Sequence, residues 1–356
     1  MVAGPGRIHI VEAGGRGGVY QHAVAVSEAL ARHGEQVVLH TADDAELLPG
    51  PGVRVCQCVR WYRDSRGPLR RARILANWVL RTGPHLTRAI RPREVFHFQG
   101  EFKAPIVSLL LLTQKLGGKR VVQSRHNTFS RSDRRADDTL FRLDMRVVDA
   151  VIVFSEQDAR RIEEMGARAF VSPLAQYSPP LDEAAVGRWK QRWSANGLPV
   201  VLFAGQIRPD KRLDLAIEAS ALIEREHRLA VVGEDKGDLE RCRALAAALG
   251  VPISWTTEYV PLADFVAILA AADVIVCPYE RASQSGILAL ARKVGARTVA
   301  SDVGGLGELA TIAVPPGEAR PLAAAIEQAL TMAPVADDME AGVVEAHLRA
   351  YGLVPT

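Results

Sequence analysis

Twice along this chain, short apolar runs alternate with stretches of helical periodicity, and a proline-bearing segment separates the two series. Strands joined by crossover helices lie parallel. Both faces of such a sheet are covered, so its strands read as unbroken runs of Val, Ile, Leu and Phe. The first series places strands at 7–11, 36–41, 53–58, 95–98, 120–124 and 151–154, with helices over 19–33, 103–116 and 134–148. The second places strands at 200–203, 228–232, 253–255, 274–277 and 298–300, with helices over 213–223, 237–249, 262–271, 285–294 and 321–331. Residues 173–199 hold Pro173, Pro179, Pro180 and Pro199 and a short basic helix around Trp189 to Trp193, the composition of a linker. The expectation is an α/β chain of two doubly wound domains facing across a cleft. They occupy 1–172 and 200–335, joined by the linker 173–199, and a last helix within 336–356 is expected to cross back to the first domain.

At 356 residues the chain exceeds what one core usually supports, and 48% hydrophobic with 24% charged residues is a globular composition. No run of about 18 apolar residues suggests a membrane span. No basic, apolar leader precedes the first strand, so a cytoplasmic protein is expected. Cys56, Cys58, Cys242 and Cys277 lack zinc-type paired spacing. Cys56 and Cys58 alternate like one face of a strand, and all four are expected to be buried small hydrophobes, with no metal ligands among them. The net charge of +3 is unevenly spread: residues 60–93 carry ten arginines and one acid, Asp64, interleaved with apolar residues such as Trp61, Ile74, Leu75, Trp78 and Leu80. Two readings fit this segment. It is an amphipathic surface helix packed on its own domain, or a basic surface making peripheral contact with the inner membrane face or holding an anionic acceptor. The rest of the chain is charge-balanced and shows no recognised binding module, so nucleic acid is not an expected partner.

The most informative stretch is VVLFAGQIRPDKRLD, Val200 to Asp214. Its apolar run opens into Gly205, which permits a tight turn, and the following loop carries Arg208 and Lys211. In open α/β sheets ligands bind beyond the carboxyl ends of the strands, so both cations are expected to face the cleft and suit a phosphate; a solvated pair on an ordinary loop is the plainer alternative. Ser283, Gln284, Ser285 and Gly286 head the helix that continues through Ile287. Free amides at a helix start form a second anion site, or else a plain N-cap. Gly14, Gly15, Gly17 and Gly18 surround Arg16 after the first strand and let backbone approach a ligand closely. The G-x-G-x-x-G spacing is not met there, which disfavours NAD. His126, after the strand 120–124, is expected to look into the cleft, whereas His97 either does so or is a satisfied core imidazole. Arg16, Glu101 and Asn127 are further candidates for touching an acceptor.

The ordered segments VLFAGQIRPDKRLDLAIEA, AVVGED, EYVP and AADVIVCPYERASQSGILALARKVGARTVASDVGGLGEL resemble the nucleotide-sugar-binding half of retaining GT-B glycosyltransferases, the large group often called family four. The likeness is strongest over about 198–312 and continues more weakly through VEAGGRGGVYQHAVAVSEALARHGEQVVLHTA and RHNTF. It implies two Rossmann-like domains. It also implies transfer of a sugar from a nucleotide diphosphate, UDP ahead of GDP, to an acceptor hydroxyl with retention, in envelope glycan, glycolipid or natural-product biosynthesis. The acceptor would be a glycan, a lipid-linked sugar or a small molecule. By this resemblance Arg208 and Lys211 meet the leaving diphosphate; relatives usually place Arg directly after the motif glycine, where Gln206 stands here, and Arg208 takes over its work. His126 positions the sugar, and Gly15, Gly17 and Gly18 approach diphosphate or acceptor. Gly233, Glu234 and Asp235 border base and ribose, the backbone of Tyr259 and Val260 reads the base, and Ser283 to Ile287 hold the diphosphate or sugar hydroxyls. Gly304, Gly305, Leu306 and Glu308 close the donor site.

Many relatives carry a glutamate pair, E-x7-E, across the SQSG segment. Here Ser283 and Ala291 stand at those places, so ribose recognition must differ, with Glu280 the candidate substitute. No D-x-D occurs, which fits neutralisation by Arg208, Lys211 and helix ends without metal or other cofactor. No carboxylate pair stands out for two-carboxylate hydrolysis. The alternative is a non-catalytic sugar-nucleotide or polyanion-binding protein of the same fold, favoured by the two missing acids.

Overall fold

The computed structural model describes residues 6–62, 67–100, 105–126, 135–194, 196–334 and 339–355. The chain divides into two compact units, Met1–Tyr177 with Met339–Thr356, and Ser178–Asp338.

In the first unit β1 (Ile8–Glu12), β2 (Val37–Ala42), β3 (Val53–Val59), β4 (Val95–Gln99), β5 (Arg120–Ser124), β6 (Ala150–Val153) and β7 (Ala169–Val171) form a parallel sheet in the order β3-β2-β1-β4-β5-β6-β7. Helices α1 (Gly17–Arg32), α2 (Gly67–Asn77), α3 (Gly83–Ala89), α4 (Pro105–Leu116), α5 (Arg135–Val147) and α6 (Glu156–Glu164) join them, with a π-helical turn, Trp78–Thr82, between α2 and α3. In the second unit the helix α7 (Glu183–Trp193) precedes the sheet. The strands β8 (Val200–Ala204), β9 (Arg228–Val232), β10 (Ile253–Thr256), β11 (Val274–Cys277), β12 (Arg297–Ser301) and β13 (Ile312–Val314) run parallel in the order β10-β9-β8-β11-β12-β13. Helices α8 (Leu213–Leu222), α9 (Leu239–Leu249), α10 (Leu262–Ala271), α11 (Gly286–Lys293), α12 (Leu306–Leu309) and α13 (Ala319–Ala329) alternate with them. The last helix, α14 (Glu340–Tyr351), belongs to the first unit, where it packs on α1, β5, β6 and β7.

Each strand order reverses once, between β1 and β4 and between β8 and β11. At such a switch point the two neighbouring crossovers leave on opposite faces, and a crevice opens beyond the carboxyl ends of the strands. These are two Rossmann-like units of the GT-B kind.

The strands expected at 120–124, 228–232 and 274–277 form at those bounds. Two strands and two helices were not expected. β7 and β13 are three residues long, too short to show periodicity. The four-residue α12 fails to register for the same reason. α6 is polar almost throughout, with Ala159 and Ile162 as its buried stripe. Its start was nevertheless legible, since Ser155 Oγ accepts the Asp158 amide at 3.2 Å in an S-x-x-D cap.

The basic segment divides. Trp78, Leu86 and Ile90 enter a core with Val11, Val59, Phe96 and Phe98, as a helical segment packing on its own domain does. Leu75, Val79 and Leu80 remain exposed at 54%, 53% and 73%. Cys242 and Cys277 are buried as expected, but Cys56 and Cys58 on β3 are only half-buried, a correction that follows from β3 being an edge strand. Among the described residues no helix is long and apolar enough to cross a membrane.

Candidate functional site

β8, buried along its length, ends at Gly205 with φ +119°. A Cβ on Gly205 would meet Ile287 Cδ1 at 2.8 Å, and one on Gly233 would lie 1.8 Å from the Gly205 carbonyl oxygen. The ends of β8 and β9 therefore approach one another at a distance only glycine allows, and the tip of the Ile287 side chain, in the first turn of α11, closes over Gly205. Gly304 (φ +55°) likewise abuts the Ala282 carbonyl, at 2.1 Å from a built Cβ, and the Gly305 amide donates to Ser283 O at 3.0 Å. Loops following β8, β9, β11 and β12 thus converge at the switch point of the second sheet.

On the loop after β8, Arg208 presents two guanidinium nitrogens to Asp210, with Nε 2.6 Å from Oδ1 and Nη2 donating to Oδ2 at 2.8 Å. Burial alone would raise the Asp210 carboxyl. The Arg208 hydrogen bond and the charges of Arg208 and Lys211 outweigh it and hold the carboxyl below its usual range. Lys211 Nζ stands 3.6 Å from the centroid of the Tyr279 ring, which is 2% exposed. Burial, then the neighbouring Cys277, pushes the Tyr279 hydroxyl well above its ordinary pKa, so the ring under the ammonium stays neutral. The Glu280 amide donates to Asp210 O at 3.0 Å, tying the cationic loop to the segment that runs into α11.

At the head of α11, Ser285 Oγ accepts the Leu288 amide at 3.3 Å, while Gly286 and Ile287 open the helix, where amides have no intrahelical acceptor. Sequence reasoning named Arg208, Lys211, Gly205, Gly233 and Ser283 to Ile287 from separate motifs, and the fold gathers them around one strand end. It missed Asp210 and Tyr279. Asp210 sits two residues from Arg208 and was open to inspection; Tyr279 reaches Lys211 only through strand order, for which no linear signal exists.

Other candidates lie nearby in different states. Asp235 Oδ1 accepts the amides of Gly237, Asp238 and Leu239 at 2.8, 3.2 and 3.3 Å, so it caps the start of α9. Glu234 pairs with Lys236 at 2.8 Å. Tyr259 is 81% exposed and Val260 half-buried; Glu280 is exposed, and Ala291, at one of the two absent-acid positions, is fully buried.

In the first unit the glycine loop after β1 is already engaged with acids. Buried Glu12 accepts the amides of Gly14 and Gly15 at 2.9 and 2.7 Å, and Glu46 accepts that of Gly17 at 3.0 Å. Arg16 pairs with Asp44 at 3.3 Å, and Gly17 and Gly18 are exposed while Gly15 is buried. Glu12 and Glu46 also escaped the sequence reading. His126, half-buried after β5, lies against His22 and Phe154 with ring centroids 4.9 and 4.8 Å away, and its Nε2 is 3.4 Å from Gln99 Oε1. His97 is fully buried, and its ring nitrogens meet the Tyr351 hydroxyl at 2.7 Å and Ser124 Oγ at 2.8 Å. Those bonds occupy both nitrogens inside the core, which corrects its candidacy for acceptor contact. Glu101 and Asn127 lie outside the described residues.

Among the described residues one group of side chains has the spacing to hold a metal ion: His40, Cys56, Cys58 and His85 of the first unit. Linear spacing hid it because the sheet, not the chain, brings the four together.

The family model described as Glycosyl transferases group 1 matches residues 198–332, and that described as Glycosyltransferase Family 4 matches residues 16–173. The chain is 28% identical over 289 residues to the alpha-D-kanosaminyltransferase of Streptomyces kanamyceticus, covering 71% of this chain and 72% of that one. In structure it resembles Anabaena HepE in complex with UDP, with TM-score 0.67 at 14% identity over 97% of this chain and 95% of that one. It also resembles the sucrose-phosphate synthase of Thermosynechococcus elongatus, with TM-score 0.67 at 18% identity over 98% and 96%.

Proposed function

Because this chain belongs to the glycosyltransferases of group 1 and family 4, we propose that it moves a sugar from a nucleotide diphosphate, UDP ahead of GDP, to an acceptor hydroxyl with retention of configuration. The observation that carries this reading is the placement of Arg208 and Lys211 beside the backbone that leads into α11, through the Asp210–Glu280 hydrogen bond and the Tyr279 ring. As the bond from sugar to diphosphate breaks, negative charge grows on the leaving group. Lys211 meets it as a point charge, Arg208 with the guanidinium edge that does not face Asp210, and the amides of Gly286 and Ile287 as the positive end of a helix. With these groups to take up the charge, the reaction runs without metal. The acceptor oxygen bonds the anomeric carbon on the face from which the diphosphate departs and gives its proton to the leaving phosphate oxygen, which accounts for retention.

In the first unit we assign His126 to sugar positioning and Arg16, Glu101 and Asn127 to the acceptor, with Gly17 and Gly18 the exposed backbone of the glycine loop. The UDP in the HepE complex supports a uridine donor, and the kanosaminyltransferase likeness supports an amino-sugar or related hexose as the group moved, for which a small molecule is one acceptor class. A lipid-linked or envelope-glycan acceptor is supported instead by exposed Leu75, Val79 and Leu80 among the arginines of 60–93, which suit peripheral contact with an anionic membrane. Sedimentation with anionic liposomes separates the two acceptor classes. The enzyme reading is tested by incubating the protein with a panel of nucleotide sugars and acceptors and measuring released UDP or GDP. Binding without turnover across the full panel would favour a non-catalytic sugar-nucleotide-binding protein, the reading that the absent acids at Ser283 and Ala291 support.

A further inference from the structure

β2 and β3 pair with His40 opposite Cys56. A strand returns alternate side chains to one face, so His40, Cys56 and Cys58 stand side by side, and α3 adds His85. Cys56 Sγ lies 3.3 Å from His85 Nε2 and Cys58 Sγ 3.8 Å from His40 Nδ1, and one ligand atom from each of the four residues falls within 4.8 Å of the rest. Zinc bonds sulfur at about 2.3 Å and imidazole nitrogen at about 2.0–2.1 Å, so a tetrahedral site spaces its ligand atoms about 3.3–3.8 Å apart. We propose that His40, Cys56, Cys58 and His85 bind a zinc ion in a closed structural site that clips the edge strand β3 and its neighbour β2 to α3.

A second feature points the same way. His40 Nε2 is 3.0 Å from His9 Nδ1, and His9 Nε2 is 3.2 Å from Glu94 Oε2, which also accepts the Arg91 amide at 2.7 Å. One assignment of protons satisfies the whole chain: His40 Nε2–H donates to His9, and His9 Nε2–H donates to Glu94. It leaves the Nδ1 lone pair of His40 directed at the thiols. Imidazoles that ligate metals carry this kind of outer support, with the far nitrogen donating toward a carboxylate.

Two thiolates and two imidazoles select a soft, tetrahedral dication over magnesium or calcium, which prefer oxygen. The two thiolate charges balance the ion, so the half-buried site keeps no excess charge, and binding releases the thiol protons to solvent. Four protein ligands leave no position open for water, which makes the site structural. With no open position it has no part in making or breaking bonds, and none of its four ligands is among the residues assigned to donor or acceptor above. His85 is exposed, which gives an ion access.

The test uses the full chain, stripped with a chelator under reducing conditions and titrated with Co2+ and then Zn2+. The expected result is one equivalent of Co2+ with thiolate-to-metal charge transfer and the intense visible bands of tetrahedral cobalt, displaced by one equivalent of zinc. His85→Ala, a change at an exposed ring that spares folding, and Cys56→Ser should each weaken zinc binding at least about tenfold; His9→Gln should do so by about tenfold through the outer support. Cys242→Ser should change nothing. Loss of fewer than one equivalent on stripping and failure to rebind, or zinc affinity unchanged by His85→Ala and Cys56→Ser, would overturn the proposal. So would a Cys56–Cys58 disulfide, seen as two thiols that react only after reduction. None of these readouts depends on sugar transfer.

Discussion

Lys211 and Arg208 carry the same charge but are held differently, and their substitutions should differ accordingly. Lys211 rests on the face of a buried, neutral Tyr279, which orients the ammonium without cancelling its charge. If Lys211 meets charge that develops only as the donor bond breaks, Lys211→Ala should lower kcat by about 10²–10³ while the donor KM moves only a few-fold. Steady-state kinetics over a donor series checks this, and equal losses in both constants would point to ground-state binding alone. Tyr279→Leu removes the ring face beneath the ammonium, a contact of about 0.5–2 kcal/mol, and should slow turnover by about 2- to 30-fold, while Tyr279→Phe should retain most of the rate. Both cations stand out in the sequence because Arg and Lys on a loop after an apolar strand imply an anion. Tyr279 does not, since its approach to Lys211 depends on β8 lying next to β11.

At the scale of elements, the second unit's loops are held together by glycines whose missing side chains are occupied by neighbouring backbone. Gly233→Ala would drive a methyl into the Gly205 carbonyl, and backbone cannot swing aside as a flexible side chain can. A loss of about 1–3 kcal/mol is expected from overpacking, seen as a lower denaturation midpoint, together with reduced turnover because Gly205 leads directly to Arg208. Gly250 at the end of α9 has φ +68° but open space around it, so Gly250→Ala should cost only the left-handed backbone penalty, about 1–2 kcal/mol, and leave kcat unchanged. If the two variants proved equally active, the close approach of β8 and β9 would not position the cationic loop. The positions of the expected strands were legible, though most ends fell a residue away, because buried parallel strands are uninterrupted apolar runs. β7, β13 and α12 were not, since three or four residues hold no period.

The first unit as a whole is coupled to pH through buried imidazoles from distant parts of the chain. His22 on α1, His97 on β4 and His347 on α14 are fully buried. Burial lowers His22 to about 4 and His347 to about 3; burial, then the neighbouring imidazoles, lowers His97 well below its ordinary value. The unfolded chain therefore takes up these protons first. Stability is full above about pH 6.5 and falls as pH drops toward 4, by about 1.4 kcal/mol per pH unit for each histidine that protonates only on unfolding. Hydrogen exchange in peptides covering β4 and α14 should accelerate between pH 6.5 and 5, after correction for intrinsic rates. Unchanged protection over that window would refute the coupling. No reading of one segment reveals it, because α14 reaches β4 and α1 only after the chain has passed through the second unit.

Periodicity and turn chemistry, both local, were enough to determine two doubly wound units, while the likeness to family four rests on the ordered segments themselves. Which side chains meet was a matter for tertiary structure. Asp210 forks with Arg208, Tyr279 floors Lys211, His97 turns into the core, and Cys56 and Cys58 find histidines on β2 and α3. The physical reason is that hydrophobic patterning acts on each segment by itself, whereas ion pairing, ring contacts and ligand geometry depend on strand order and register between segments far apart in the chain.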